Sequence, residues 1–469
     1  MEEVIRILAT GGIVSPGELE KIALCGKEHG CSDIQIGSRQ EIYLVCPAKE
    51  VSALLDDLKS LSFLCEAVSG PHRNIVTSSA SVGLYPSTLW VTSDTFLDVL
   101  EAFDYAPKLE INITDPAQRL IPHFNGHLNF IASHHRNYWF LYIQLPGFKQ
   151  RELWPALIYI DDIALLSKSI EAFWLKHQPI DLTELFSNIP TEVISNSRAI
   201  DGTCTIAKGS IPYYEGLNAM MGGVYWLGIY RRNYEYPLEF ILDVCDLCRE
   251  SRIGKINLTT WKSLLIKDIR EEERIRWEIL LGKHGINIRH SSLELHWQLP
   301  DLDQQALELK NKLVSVFDSK DIRTYGICFG ISTQKADSYG NILIRLHSTK
   351  KKTSYSVSYT EDFDPASPER IVYDEDLPEN ALAEKLQWLC GLFYSQLSRN
   401  KNEEVPVITP LNKKETELYQ CSVCYTIYNQ TIGDVVAGIG PGVPFNLLPD
   451  DYSCPVCEGE KMSYKKVVL

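Results

Sequence analysis

The sequence predicts an α+β protein made of a duplicated half-domain, two mixed α/β stretches and a small cysteine-rich C-terminal domain. A unit of helix, strand, strand and helix occurs twice, about 220 residues apart. Each copy is followed by a stretch in which helical and strand-like patterns mix, and two Cys-x-x-Cys pairs stand near the C-terminus. Duplication over that distance indicates two halves related by a pseudo-twofold axis, since solenoid repeats are much shorter.

The first copy of the unit occupies residues 17–65. Apolar residues recur at helical spacing in 17–32, and DIQIGSRQEIYLVC (33–46) alternates as a strand, turns and returns as a second strand. Residues 51–65 predict the closing helix. The second copy has the same order, with a helix in 235–251, a strand pair in 255–269 and a helix in 271–286.

The two mixed stretches differ in length. The first includes predicted strands at 138–145 and 156–166, whereas the second is shorter. The second contains a predicted helix at 303–317, strands at 341–347 and 353–360, and a closing helix at 381–397. The predicted domains are therefore the first half-domain copy at 1–69, a mixed α+β domain at 70–215, the second copy at 216–300, a shortened mixed domain at 301–397, a polar linker at 398–416 and the cysteine-rich domain at 417–469.

The composition is that of an ordinary globular protein, and the formal net charge is −15. This acidity argues against nucleic acid and against a membrane surface as partners, since proteins that bind those usually present a basic face. The opening MEEVIRILATGG lacks the pattern of a secretory signal, and we find no apolar run long enough to span a membrane. We therefore expect a cytoplasmic protein whose scattered cysteines, such as Cys65 and Cys328, are reduced core residues.

Four of the 13 cysteines are clustered near the C-terminus as two Cys-x-x-Cys pairs separated by 29 residues: Cys421, Cys424, Cys454 and Cys457. Each pair places two thiolates on one side of a tight turn whose backbone N–H groups can point at the sulfurs. Two such turns facing each other give a four-thiolate site, which suits zinc or a single iron. Two disulfides are the alternative, but they are unexpected in a chain without an export signal.

Residues 418–469 resemble the rubredoxin family over nearly the whole small domain. The similarity is carried by both cysteine pairs, by GIGPG at 438–442 and by LPDDY at 448–452. The resemblance implies one iron ion bound by the four clustered cysteines, with an aromatic core beside it made of Tyr428, Phe445 and Tyr452. It also implies single-electron transfer, with a reductase or another oxidoreductase as the redox partner protein.

Two positions depart from the rubredoxin pattern. The family usually has glycine directly after the second cysteine of each pair, where this sequence has Tyr425 and Glu458. A non-glycine residue in a left-handed conformation costs about 1 kcal/mol or more. We expect a perturbed reduction potential and a weaker preference for iron over zinc, while the four-cysteine site itself is retained.

The duplicated unit resembles the ferredoxin-like half-domain of the siroheme-dependent nitrite and sulfite reductases. In that family an Arg-Gln pair ends the first strand and an Arg-Asn-Ile/Val motif follows the second helix. Here these motifs are Arg39-Gln40 and Arg73-Asn74-Ile75-Val76. The resemblance covers roughly residues 1–395 and implies that Arg39 and Arg73 contact a tetrapyrrole or an anionic substrate. The alternative is that both are ordinary surface or packing arginines.

Other features of the reductase family are missing. Those enzymes hold a [4Fe–4S] cluster through a Cys-x5-Cys pair and a later Cys-x3-Cys pair, whereas the matching region here contains only Cys328 and Cys390. The substrate lysines of the family have no counterpart in LIPHFN (120–125). We therefore expect a degenerate scaffold without a [4Fe–4S] cluster, with siroheme left open as a cofactor. The adjacent His134 and His135 are expected to point apart as surface residues.

Three functions stay open from the sequence alone. The first is an electron-transfer protein, in which an iron–thiolate centre is carried by a degenerate siroheme-reductase-like scaffold and serves a partner reductase. The second is a nitrite or sulfite reductase with an unconventional haem site. The third is a scaffold or assembly protein whose four cysteines bind zinc structurally. The missing cluster ligands favour the first, so we predict an electron carrier more than a reductase in its own right.

Overall fold

The computed structural model describes residues 2–148, 150–177, 182–189, 196–220, 222–291, 293–333, 338–348, 353–367, 369–403, 418–430, 433–434, 436–440 and 442–467. The α-helices in these ranges are α1 (Pro16–Glu28), α2 (Val51–Ser60), α3 (Ser93–Glu101), α4 (Ile163–Lys176), α5 (Leu182–Asn188), α6 (Leu238–Glu250), α7 (Arg274–Lys283), α8 (Gln304–Ser319) and α9 (Glu379–Glu403). The chain divides into two compact units, Met1–Tyr394 and Ser395–Leu469, which are described separately.

The strands belong to five sheets. Those of the two half-domains and their neighbours are β1 (Glu2–Ile7), β2 (Ile13–Val14), β3 (Asp33–Ile36), β4 (Ile42–Pro47), β5 (Cys65–Ala67), β13 (Gly216–Ala219), β14 (Val224–Ile229), β15 (Glu235–Pro237), β16 (Ile256–Leu258) and β17 (Leu264–Arg270). Those of the mixed stretches are β6 (Ile75–Thr77), β7 (Ile111–Thr114), β8 (Leu128–Ala132), β9 (Tyr138–Ile143), β10 (Glu152–Leu153), β11 (Ala156–Tyr159), β12 (Ser197–Ala199), β18 (Trp297–Gln298), β19 (Phe329–Ser332), β20 (Ile342–Ser348), β21 (Thr353–Tyr359) and β22 (Ile371–Leu377). The last three are β23 (Leu418–Cys421), β24 (Ile427–Asn429) and β25 (Tyr464–Val467).

The predicted duplication is confirmed by two sheets that match in four of their five strand positions; the fifth differs, because β5 follows α2 whereas β13 precedes β14. Sheet one has the order β15-β3-β4-β1-β5, and sheet two has the order β2-β16-β17-β14-β13. The sheets exchange an edge strand, because β15 of the second copy pairs with β3 and β2 of the first copy pairs with β16. Each copy therefore contributes an edge strand to the sheet of the other copy.

Helices α1 and α6 fill the space between the two halves. Helix α1 starts at Pro16 because the Ser15 hydroxyl accepts a hydrogen bond from Glu18 N at 3.1 Å, and the Glu18 carboxylate accepts one from Ser15 N. The apolar faces of α1 and α6 share one core with both sheets. At the surface Lys27 pairs with Glu239 at 2.6 Å, so the helices also contact through opposite charges.

The first mixed stretch forms sheet three, in the order β12-β11-β9-β8-β7-β6 with β10 beside β9. Strands β6, β7 and β8 are parallel, and the others pair antiparallel. The strand predicted at 156–166 is wrong in its second half, because β11 ends at Tyr159 and α4 begins at Ile163. A 3-10 turn with two aspartates ends the strand. After it, Ile163, Leu166 and Ile170 are buried at helical spacing, so this segment forms a helix and not a strand.

The second mixed stretch forms sheet four, in the order β18-β19-β20-β21-β22, and α8 and α9 contribute to its core. The helices predicted at 303–317 and 381–397 correspond to α8 and α9. Helix α9 extends to Glu403, so residues 398–403 of the predicted linker are helical. The rest of that linker, 404–416, lies outside the described residues.

The second unit holds sheet five, a three-stranded antiparallel sheet with the order β24-β23-β25. Its small core consists of aromatic residues, Leu448 and the buried cysteines Cys421 and Cys454. Among the helices that the structure describes in either unit, none combines the length and the apolar character needed to cross a lipid bilayer.

Candidate metal centre

The two cysteine pairs fold into matching backbone turns. In the first turn, the Cys421 carbonyl accepts a hydrogen bond from Tyr425 N at 2.9 Å, and Cys421 N donates to Thr426 O at 2.8 Å. The second turn repeats both bonds around Cys454, each 2.8 Å long. The two turns thus share the same pair of backbone hydrogen bonds, and each holds its two sulfurs on one side of the turn.

The turns bring the four predicted cysteine ligands together. Cys421 Sγ lies 3.6 Å from Cys457 Sγ, and Cys424 Sγ lies 3.4 Å from Cys454 Sγ. All four sulfurs are within 4.8 Å of one another. A tetrahedral ion with metal–sulfur bonds of about 2.3 Å separates its sulfurs by about 3.8 Å. The cysteines therefore fit a single metal ion with no open position.

The residues after the second cysteine of each pair adopt the conformation that favours glycine. Tyr425 has φ = 64° and Glu458 has φ = 58°. In the second turn a glycine, Gly459, follows Glu458, and a Cβ atom there would stand 3.3 Å from Cys457 Sγ. Tyr425 and Glu458 are thus strained but keep both turns closed.

Aromatic side chains pack beside the sulfurs as the sequence predicts. The rings of Tyr428, Phe445 and Tyr452 meet edge to face, with centroids 5.5–6.2 Å apart. Tyr452 stands where rubredoxins usually have tryptophan, and its hydroxyl donates to Asp434 Oδ2 at 2.7 Å. The hydrogen bond satisfies the polar end of an otherwise buried ring.

Thr426 lies beside the metal site but is not among the residues predicted from the sequence. Thr426 Oγ1 lies 3.2 Å from Cys424 Sγ, and this hydroxyl lowers the pKa of the Cys424 thiol. A thiolate at Cys424 would accept a hydrogen bond from Thr426. The only sequence signal is a hydroxyl residue two positions after the second cysteine of the pair.

A small three-stranded domain in which two cysteine turns share four sulfurs defines a rubredoxin-type metal–thiolate domain. The family model described as Rubredoxin matches residues 418–464. Rubredoxin-1 of Chlorobaculum tepidum is 39% identical over an alignment of 66 residues that covers 12% of this chain and 96% of that protein. Through its C-terminal domain, the chain belongs to the rubredoxin family.

Other rubredoxins are similar to short stretches of the chain. The probable rubredoxin HupI of Bradyrhizobium diazoefficiens is 40% identical over 48 residues, covering 10% of this chain and 70% of that protein. The high molecular weight rubredoxin of Moorella thermoacetica is 32% identical over an alignment of 81 residues that covers 16% of this chain. The match spans 35% of the length of that relative.

The larger unit is similar in fold to a solved structure. The NirA protein of Mycobacterium tuberculosis superposes with a TM-score of 0.64 at 12% sequence identity, covering 87% of this chain and 82% of that chain. The nitrite/sulfite reductase-like fold predicted for the N-terminal part is thereby confirmed. At this identity the similarity concerns the fold alone.

Arg39 and Arg73 point to backbone carbonyls of the chain. The Arg39 side chain is almost fully buried, and its Nη2 donates to Asn74 O at 3.0 Å and to Ile111 O at 3.1 Å. Arg73 Nη1 donates to the carbonyls of Gly70 and His72 at 3.1 and 2.9 Å. The contact of either arginine with a tetrapyrrole or an anion stays a prediction, because these bonds occupy one Nη of each guanidinium and the buried Arg39 Nε has no hydrogen-bond partner among the described residues.

The motif residues next to these arginines join three sheets. Gln40 lies in the turn between β3 and β4 of sheet one. Its Nε2 donates to Thr77 O of sheet three at 3.0 Å and to Leu258 O of sheet two at 2.9 Å. Asn74 Nδ2 donates to Ala9 O at 2.8 Å and to Arg39 O at 2.9 Å. Gln40 and Asn74 therefore hold the three sheets of the scaffold together.

The LIPHFN segment (120–125) is packed largely inside the protein. Trp261 Nε1 donates to Leu120 O at 2.6 Å, and both residues are buried. His123 bonds through its two ring nitrogens to Thr114 Oγ1 and Gln118 O, each at 3.0 Å. Burial lowers the pKa of His123 to about 4, so its ring is neutral near pH 7.

His134 and His135 do not point apart, and the expectation from sequence is wrong here. They lie in the turn between β8 and β9 rather than in an extended strand, so alternation does not apply. Their ring centroids are 3.8 Å apart, and both rings face Asp201.

Proposed function

We propose that this chain is an electron-transfer protein that carries one iron ion on Cys421, Cys424, Cys454 and Cys457. The observation that carries the proposal is the convergence of the four sulfurs within 4.8 Å of one another. Iron bound there would supply a one-electron couple. Four protein ligands leave no open position for a substrate, so electron transfer is the chemistry that suits the site.

Three exposed hydrophobic side chains lie beside the sulfurs nearest the surface, next to the exposed Ser422 and Glu458. Cys424 and Cys457 are partly exposed, whereas the other two cysteines are buried. Val423, Tyr425 and Val456 beside them are 62%, 70% and 68% exposed. An apolar patch around a redox centre favours contact with a redox partner protein, because burial of that patch shortens the distance between the two cofactors.

The role of the scaffold in this proposal follows from Arg39 and Arg73. Arg39 Nη2 and Arg73 Nη1 donate to backbone carbonyls, which supports a structural role for these nitrogens over a role in binding a tetrapyrrole carboxylate or an oxyanion. We therefore place the reduction of a substrate in a partner reductase and assign to the larger unit the task of presenting the rubredoxin domain to it.

A redox titration of the purified full-length protein tests the proposal. Wild-type protein should show a reversible one-electron couple, and Cys421→Ser should lose both the couple and the iron. Cys65→Ser is the matched control, since Cys65 is half-buried in the larger unit and is not one of the four clustered cysteines. A couple that survives in Cys421→Ser, or zinc in place of iron in native protein, would contradict the proposal and favour a structural metal site.

A further inference from the structure

A second group of metal-ligating side chains lies in the larger unit. His135 Nε2 is 2.9 and 2.8 Å from the two carboxylate oxygens of Asp201, and His134 Nε2 is 3.4 Å from Oδ1. The three ligand atoms lie within 4.8 Å of one another. His135 is mostly buried, while His134 and Asp201 are about half exposed, so the group is accessible from solvent.

The backbone fixes this arrangement from both sides. Ser133 N donates to Tyr138 O at 2.9 Å and Tyr138 N donates to His135 O at 3.1 Å, which closes the turn between β8 and β9. Asn137 in that turn has φ = 67°. The turn places two consecutive imidazoles side by side, an arrangement that an extended strand does not allow.

Asp201 reaches the histidines from the loop that follows β12. The next residue, Gly202, packs next to the His134 ring, since a Cβ atom there would lie in van der Waals contact with His134 Cε1 at 3.4 Å. Strand β12 is itself paired with β11, so the loop begins from a fixed point of sheet three. Two separate segments thus bring three ligands to one place.

The donor set is characteristic of a transition-metal site. Two imidazole nitrogens and one carboxylate suit zinc and other first-row divalent ions and leave coordination positions open. With metal–ligand bonds of about 2.0–2.1 Å, a tetrahedral ion separates its ligands by about 3.4 Å. The observed separations from the Asp201 carboxylate are 2.8–3.4 Å, so a small opening of the group would admit an ion.

We propose that His134, His135 and Asp201 bind a divalent first-row transition-metal ion through His134 Nε2, His135 Nε2 and the Asp201 carboxylate. In contrast to the four-cysteine centre, this site keeps at least one position for water or another small ligand. The ion ties the β8–β9 turn to the loop after β12. The proposal does not depend on electron transfer by the C-terminal domain, because the two sites share no residue.

The competing account is a metal-free cluster in which Asp201 simply balances nearby positive charge. Arg198 Nη2 lies 3.8 Å from Asp201 Oδ2 and contributes to that balance. The two accounts differ in one measurable respect. Only a metal site binds an additional equivalent of ion with an affinity that depends on all three ligands.

Cobalt binding to the full-length protein, with its cysteine site already filled by its native metal, separates the accounts. We expect one additional bound Co²⁺ per chain, with weak visible d–d bands and without the intense near-ultraviolet bands of a cobalt thiolate. His135→Ala and Asp201→Asn should each weaken this binding by roughly tenfold or more, since even outer-shell partners of metal ligands cost that much. Zn²⁺ should displace the cobalt.

The control is His347→Ala, because His347 is an exposed histidine whose ring bonds to the Ser356 hydroxyl and belongs to no such group among the described residues. It should bind cobalt like the wild type. Asp201→Asn preserves the side-chain shape, and the tryptophan fluorescence of each variant verifies its fold. Absence of an additional cobalt ion, or equal affinity in His135→Ala, Asp201→Asn and wild type, would overturn the proposal.

Discussion

The Thr426 hydroxyl oxygen lies 3.2 Å from the sulfur of Cys424, one of the two partly exposed cysteines of the metal centre. A hydrogen bond to a metal-bound sulfur stabilises negative charge on the ligand. Reduction adds negative charge to the centre, so such a bond favours the reduced state and raises the reduction potential.

Replacing this hydroxyl should therefore lower the midpoint potential. Thr426→Val keeps the shape of the side chain and removes the donor, whereas Thr426→Ser keeps the donor. In a redox titration monitored by visible absorbance, we expect Thr426→Val to be reduced at a lower potential than wild type and Thr426→Ser to stay close to wild type. A Thr426→Val protein with an unshifted potential would show that the contact has no electrostatic role.

The strain at Tyr425 and Glu458 gives a prediction about stability. Both residues have positive φ, where a side chain costs about 1 kcal/mol or more, although glycine returns part of this gain through the entropy of the unfolded chain. Glu458→Gly and Tyr425→Gly should each raise the free energy of unfolding of the metal-loaded C-terminal domain by up to about 1 kcal/mol. Denaturant-induced loss of the metal–thiolate absorbance measures this quantity.

The matched control is Ser422→Gly in the same turn. Ser422 is not among the residues with positive φ, so glycine there should lower the free energy of unfolding. If all three glycine variants lost stability alike, the backbone strain at Tyr425 and Glu458 would not be energetically important.

Arg39 provides a test of the interpretation of the scaffold. All nine tryptophans precede residue 395, so tryptophan fluorescence reports the unfolding of the larger unit alone. Arg39→Met would leave the carbonyls of Asn74 and Ile111 without their buried donor, and we expect a loss of about 2–4 kcal/mol. Arg73→Met should cost less, because Arg73 is only partly buried and bonds to carbonyls within its own segment. An Arg39→Met protein of wild-type stability that loses a bound tetrapyrrole would contradict the structural role.

Lys310 predicts an unusual pH dependence of the larger unit. Its side chain is fully buried, Nζ donates to the hydroxyls of Tyr230 and Tyr234, and burial lowers the pKa to about 7 from 10.5. Between these two pH values the unfolded chain binds more protons at this site than the folded chain does. The contribution of Lys310 to the stability must therefore rise with pH in this window.

Comparison with Lys310→Met isolates this contribution. The free energy of unfolding of Lys310→Met minus that of wild type should be highest near pH 7. It should fall as the pH approaches 10, because only the wild type gains stability from Lys310 in this window. Lys312→Met on the same helix is the control, since Lys312 is exposed and pairs with Glu379. A difference that stays constant from pH 7 to 10 would mean that Lys310 titrates normally.

The sequence predicts the C-terminal centre almost completely, because its ligands are fixed by local turns. Cys421 and Cys424 belong to one tight turn, so their spacing alone determines how the sulfurs are presented. The duplicated helices and strand pairs are also evident, since each is a long periodic segment.

The parts that the sequence does not predict depend on distant or short segments. Strands β2 and β15 have two and three residues, and each pairs with the copy more than 200 residues away, so no local pattern marks them. The Arg39 side chain can donate to the carbonyl oxygens of Asn74 and Ile111 only when sheets one and three pack together. The convergence of His134 and His135 on Asp201 likewise requires a turn and a loop that periodicity cannot place.

The most direct test of the central claim is the metal content and visible spectrum of the full-length protein purified from its own host. We predict about one iron per chain and a red protein that bleaches on addition of dithionite and regains its colour in air. A colourless protein with zinc on Cys421, Cys424, Cys454 and Cys457 would contradict the account.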